Sequence, residues 1–117
     1  MRLITMGLTT ILATLALASS TFAAASTSTN AKTLTGTVGP GFTITTSKNT
    51  VKAGTYAMTI HDLASIHDFH LTGPGVNKVT SVPGIGTTKW TVKLKKGTYQ
   101  FVCDPHRTIM HGVLKVT

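Results

Sequence analysis

This 117-residue chain holds one cysteine, Cys103, one tryptophan, Trp90, and only three acidic side chains, Asp62, Asp68 and Asp104. A lone cysteine excludes an intrachain disulfide, although exported domains of this size often depend on such bridges. Three carboxylates against eleven lysines and arginines leave a formal charge of +8, which favours encounters with acidic partners or surfaces. The lysines are spread over many segments and no nucleic-acid module is visible. A solvated basic surface therefore accounts for them first, an acidic protein partner next, and nucleic acid last. No internal repeat and no sustained helical stripe occurs. There is one extended apolar stretch, Leu3 to Leu17, so no second hydrophobic span exists.

That stretch follows Met1-Arg2 and precedes the small residues Ser19 to Ala25, the pattern of a secretory signal peptide over residues 1–25 with cleavage after Ala23 or Ala25. It carries several threonines, is short for a bilayer span and has no basic stop-transfer flank, which argues against an uncleaved anchor. No cysteine near the cleavage region invites lipid modification. The expected mature protein is exported, periplasmic or extracellular, without a membrane span and monomeric. Cleavage leaves 92 residues with Arg2 removed from the charge, hence +7. So small a domain, uncross-linked, is only moderately stable alone. A metal bond to Cys103 would cap a reactive thiol and add folding free energy.

Residues 26–32, rich in Ser, Thr and Asn, read as a flexible leader, and residues 33–117 as the ordered domain. Its segments show two-residue periodicity between Gly and Pro signals. In Tyr56-Ala57-Met58-Thr59-Ile60 and in Lys89 to Lys95, large apolar residues alternate with small, polar or charged ones, so one face is core and the other solvent. Trp90 and Met58 are then core residues. Leu34 to Val38, Phe42 to Thr46, Thr98 to Cys103 and Gly112 to Val116 are further strands, while Gly73 to Thr87, with four glycines and two prolines, reads as a long connection. The expected fold is an all-β Greek-key sandwich of about seven to eight strands.

The segment Tyr99 to Gly112 places a thiolate, an imidazole and a thioether within eight residues, at Cys103, His106 and Met110, with His111 next in line. Two histidines, a cysteine and a weak axial methionine form the donor set of electron-transfer copper. His67 is the best candidate for the missing ligand. Tyr99, Phe101 and Cys103 share one strand face, as do His67, Phe69 and Leu71, so both donors would emerge from core faces at one end of the sandwich. An extended chain would hold Cys103 and His106 about 10 Å apart, whereas both must reach one ion at roughly 2.0–2.3 Å. Asp104-Pro105-His106-Arg107 supplies the necessary turn. His61 falls in parity with solvent and His70 opposite His67, so neither is expected to ligate. The plain alternative is a buried inert cysteine with unrelated histidines around it.

Tyr99-x-Phe101-x-Cys103-x-Pro105-His106, with Met110 and Gly112 downstream and His67-Asp68-Phe69 upstream, resembles the small blue copper proteins, or cupredoxins, of the plastocyanin, pseudoazurin and amicyanin type. The resemblance covers residues 33–117. It implies a cupredoxin sandwich with one copper held by His67, Cys103 and His106, with Met110 axial, that shuttles one electron between redox partners. Two positions depart from the pattern. Asp68 replaces the usual Asn that ties the ligand loops, and could do so only as an acceptor or when protonated. The spacing His106-x3-Met110 is intermediate between family types, which leaves His111 as a rival axial donor.

The expected function is that of an exported electron carrier and not an enzyme: a hydrolytic role would need the nucleophile that copper consumes, and a multicopper enzyme would need further paired histidines. Copper delivery, buffering or resistance, with His70, Met110 and His111 aiding exchange, is the alternative. Structural zinc is a weaker one. His106, beside Pro105 and Ile109, is expected to be the half-exposed ligand, within an apolar rim and then a ring of lysines.

Overall fold

The computed structural model describes residues 31–117 and the isolated Ser19. The expected signal peptide, Ser19 apart, and the leader up to Asn30 lie outside the described residues. The chain enters its first strand, β1, at Lys32 (Lys32–Val38), followed by β2 (Ile44–Thr46), β3 (Thr50–Val51), β4 (Gly54–Asp62), β5 (His70–Gly73), β6 (Val76–Val79), β7 (Gly86–Leu94), β8 (Gly97–Val102) and β9 (His111–Val116). A 3-10 turn over Asp104–His106 separates β8 from β9. The protein is all-β, with the strands in a four-stranded sheet, β2-β1-β4-β7, and a five-stranded sheet, β3-β9-β8-β5-β6.

Alternation decides which faces meet. In the antiparallel β4–β7 pair, Tyr56 lies opposite Val92 and Met58 opposite Trp90, all on the inner face, while Thr55, Ala57, Lys89 and Lys93 face outwards. From the other sheet Phe69, Leu71, Tyr99, Phe101 and Leu114 close the core with 4% exposure or less. Phe69 stacks on Phe101 with centroids 5.7 Å apart and meets the edge of half-buried Trp90 at 6.4 Å. Burying one such side chain is worth roughly 1.5–3 kcal/mol, and the aromatic stack lies directly beneath the end where the histidines emerge.

Two sequence expectations need correction. The stretch Gly73 to Thr87 is not one long connection, because Val76–Val79 pairs antiparallel with β5 through a two-residue Pro74-Gly75 turn. Gly75 adopts φ +71° there, and the density of Gly and Pro hides a four-residue edge strand from any periodicity argument. Phe42 and Thr43 are not in a strand. The bend Gly39-Pro40-Gly41 delays β2 to Ile44 and leaves Phe42 free to lean over the end of the sandwich. With β3 and β6 the strand count among the described residues is nine.

Strand direction gives the molecule two distinct poles. Val38, Asp62 and Gly86 lie side by side at one end of the first sheet, the end towards which His67, Cys103 and Met110 also project. Lys32, Gly54, Leu94, Gly97 and Val116 lie at the other.

Candidate metal centre

His67 sits in the loop between β4 and β5, just before Phe69 and the strand that carries Leu71 inwards. Cys103 follows β8 directly, and its sulfur continues the inward face of Tyr99 and Phe101. The chain then folds back at once. Pro105 presets the backbone at the start of the 3-10 turn, the His106 N–H donates to the Cys103 carbonyl at 3.0 Å, and the Met110 N–H donates to the His106 carbonyl at 2.8 Å. A third bond, from the Cys103 N–H to the Met110 carbonyl at 2.9 Å, closes the loop where β8 and β9 begin to pair. Gly112 belongs to the same closure: the ring of Phe101 lies across it, and a Cβ there would come within 2.3 Å of that ring.

These constraints bring Nδ1 of His67, Sγ of Cys103 and Nδ1 of His106 into one triangle. The two nitrogens are 3.1 Å apart, and the sulfur is 3.6 Å from His67 and 3.5 Å from His106. The point equidistant from the three atoms lies about 2.0 Å from each, against metal–nitrogen bonds of roughly 2.0–2.1 Å and metal–sulfur bonds of roughly 2.3 Å for zinc. Among the described residues this is the one His/Cys/Asp/Glu cluster with donors so close. The donor set of two imidazoles and a thiol therefore fits an ion in both size and softness.

Burial differs among the participants. His67 and Cys103 are fully buried, and Met110, at 1% exposure, closes the same interior. His106 is half-buried, so among the three donors it alone has an edge open to solvent. Phe42 stands edge-on to both imidazoles, with centroids 5.6 Å from His67 and 5.0 Å from His106. No sequence signal identified this residue, because only the Gly39-Pro40-Gly41 bend aims it. Gly39 itself has φ +76°, and a Cβ there would approach Cδ2 of His67 to 3.1 Å. Burial pushes the Cys103 thiol above its ordinary pKa, although backbone N–H groups of Asp68 and His106 point at the sulfur and oppose this. A coordinated cation reverses that balance, since a ligating thiol is deprotonated outright.

Asp68 resolves the question raised by its replacement of Asn. Its Oδ1 accepts the Asp104 backbone N–H at 2.6 Å, so it ties the His67 loop to the Cys103 loop as an acceptor. Burial and the neighbouring Asp104 carboxylate raise its pKa. Burial also works against ionisation of Asp104, but bonds from Asp68, His70 and Arg107 outweigh it and hold Asp104 below the usual carboxylate range. His70 accordingly faces away from the donor triangle. Its Nδ1 lies 2.9 Å from Asp104 Oδ2 and its Nε2 2.6 Å from Asn77 Oδ1. Burial alone would lower the His70 pKa, yet these two partners raise it.

The remaining histidines are elsewhere. His61 is half-buried on the outer face of β4, 3.2 Å from the Thr87 hydroxyl. His111 is exposed on β9 and lines a cleft of about 480 Å³ with Ile44, Asn49 and Val113. The expected lysine ring around His106 is absent. Phe42, Leu63, Ile66, Ile85 and Ile109, all between 48% and 67% exposed, form an apolar collar at this end, and the one basic side chain in the ligand loop, Arg107, is paired with Asp104 at 2.5 Å.

Residues 21–117 match the family of copper binding proteins described as the plastocyanin/azurin family, and the chain belongs to it. The protein is thus a copper-binding cupredoxin. Similar solved structures include a rusticyanin variant at 25% identity and TM-score 0.55, and another at 21% and 0.56, each covering 73% of this chain and 76% of the other. Auracyanin A, a "blue" copper protein from the green thermophilic photosynthetic bacterium Chloroflexus aurantiacus, is 17% identical over 73% of this chain and 98% of its own, with TM-score 0.51. No curated protein sequence matches.

Proposed function

We propose that this cupredoxin carries single electrons, with copper held by Nδ1 of His67, Sγ of Cys103 and Nδ1 of His106 and with Met110 as the weak axial donor. The donor triangle of about 2.0 Å radius carries this reading, since its size suits bonds of the expected length. Copper supplies a one-electron couple, and everything else is done by the chain. Cys103 and His67 are fixed by flanking strand and core contacts. The loop bonds of Cys103, His106 and Met110 hold the other donors in place, so little rearrangement accompanies a change of charge. Burial excludes water from all but the His106 edge.

That edge is the natural exit for the electron, and the collar of Phe42, Leu63, Ile66, Ile85 and Ile109 suits apolar docking of a redox partner around it. The acidic partner inferred from net charge has no basic counterpart at this end of the molecule. The axial role goes to Met110 because it is buried where Cys103 and His106 converge, whereas His111 faces the opposite cleft. His70 is likewise engaged with Asp104 and Asn77, which leaves the delivery or buffering alternative without accessory ligands at the site. No helix among the described residues is long and apolar enough to cross a membrane, and export through residues 1–25 remains part of the proposal. The test is the visible spectrum of copper-loaded protein: an intense thiolate-to-copper band that Cys103→Ser abolishes. A band that survives Cys103→Ser would overturn the ligand assignment.

A further inference from the structure

Six of the nine lysines, scattered in sequence, converge in space. Lys32 opens β1 opposite Tyr56, Lys52 precedes the start of β4, and Lys93 lies opposite Thr55. Lys95 and Lys96 form the β7–β8 turn, and Lys115 lies between Thr98 and Thr50. All six are exposed, and all lie at the pole opposite the metal centre. The three aspartates lie at the other pole: Asp62 and Asp68 are buried, and Asp104 is paired with His70 and Arg107. No Asp or Glu side chain tempers the basic pole. Its loops are also tied down, for the Tyr99 hydroxyl donates to the Pro74 carbonyl at 2.7 Å and accepts the Lys95 N–H at 2.9 Å, and the Tyr56 hydroxyl donates to the Lys52 carbonyl at 2.6 Å.

We propose that this basic pole is a docking surface for an anionic lipid bilayer, and that it holds the protein with its copper end turned away from the membrane. Charge complementarity is the argument: six exposed lysines gather at this pole with no Asp or Glu side chain among them, and lysines close to an anionic bilayer each add about fivefold to binding. The seven residues of β1 put the metal centre about 20 Å further out. That is beyond the screening length of about 8 Å at physiological salt, so the lipid charge and the apolar docking collar act independently. This inference does not depend on which residues ligate copper.

Binding of the copper-loaded protein without the expected signal peptide, residues 26–117, to vesicles tests it, comparing pure phosphatidylcholine with phosphatidylcholine containing about a third phosphatidylglycerol at about 0.1 M salt. The anionic vesicles should bind more tightly, and the difference should fall as salt rises. The combined Lys93→Gln, Lys95→Gln and Lys96→Gln variant should lose about a hundredfold of that binding while its visible band and reduction potential stay unchanged. A variant with two charges removed from the flanks, Lys78→Gln and Lys89→Gln, should lose less than about fivefold, because Lys78 lies opposite Leu71 and Lys89 opposite Thr59, part-way along the strands. Equal losses per removed charge in the two variants would mean that net charge alone acts and would overturn the proposal. So would equal binding to neutral and anionic vesicles, or binding to heparin without binding to anionic vesicles.

Discussion

Asp68 is the residue whose replacement tests most directly how the two ligand loops are held together. It is 3% exposed, and its Oδ1 accepts the Asp104 N–H at 2.6 Å, one residue from Cys103 in one loop and one from His67 in the other. Asp68→Ala leaves that N–H facing a dry interior without an acceptor, which costs about 1–3 kcal/mol. For a domain of this size each kcal/mol lowers Tm by about 4–8 °C, so metal-free Asp68→Ala should melt roughly 4–24 °C lower, and its copper affinity should fall about 10–100-fold, as for other partners that orient metal ligands. Asp68→Asn keeps the carbonyl acceptor and adds an amide donor facing the Asp104 carboxylate, which already lies beside it. Its Tm should equal or exceed that of the parent. Thermal melts with and without copper, followed by a copper competition titration, provide the readout. If Asp68→Asn is as damaging as Asp68→Ala, the tie depends on something only a carboxyl group provides, and the acceptor argument is wrong.

Three further outcomes follow from the same geometry. Met110→Gln should shift the visible spectrum and lower the reduction potential, because a harder donor favours Cu(II), while His111→Ala should change neither; the reverse pattern would move the axial role to His111. Because the His70 pKa is raised, its ion pair with Asp104 stabilises the fold fully below the unfolded histidine value of about 6.5 and is lost as pH rises through the folded value. The gap in Tm between the parent and His70→Gln should therefore narrow on raising pH from 6 towards 9, and a constant gap would contradict the pairing. Gly39→Ala should cost about 1–2 kcal/mol from its left-handed φ and should also perturb the copper spectrum, since the new methyl meets His67; a denaturant melt and an absorption spectrum separate the two effects.

Local chemistry made much of this protein legible in sequence. Alternation in Tyr56 to Ile60 and in Lys89 to Lys95 specifies half-buried strands, because side chains in a strand alternate faces whatever the strand pairs with. Cys103, Pro105, His106 and Met110 lie within eight residues, so their convergence needs only a turn, and Pro105 supplies it. His67 was reachable by parity with Phe69 and Leu71. The four-residue strand β6 was not, since a segment so short, bounded by Gly and Pro, gains its order from pairing with β5 and has little pattern of its own.

Tertiary structure alone decided the relations between distant segments. Phe42 covers the two imidazoles because a bend at Gly39-Pro40-Gly41 swings it over a loop some 25 residues away in sequence, a relation that leaves no local trace. Asp68 became an acceptor only when the His67 loop met the Asp104 backbone. The lysines follow the same logic on a larger scale. Their number was fixed by the sequence, and with it the net charge, but the ring expected around His106 is not there. Strand direction and register gather Lys32, Lys93 and Lys115 at one pole and the aspartates at the other. Composition sums charges, whereas the field a partner meets depends on where the sheet puts them.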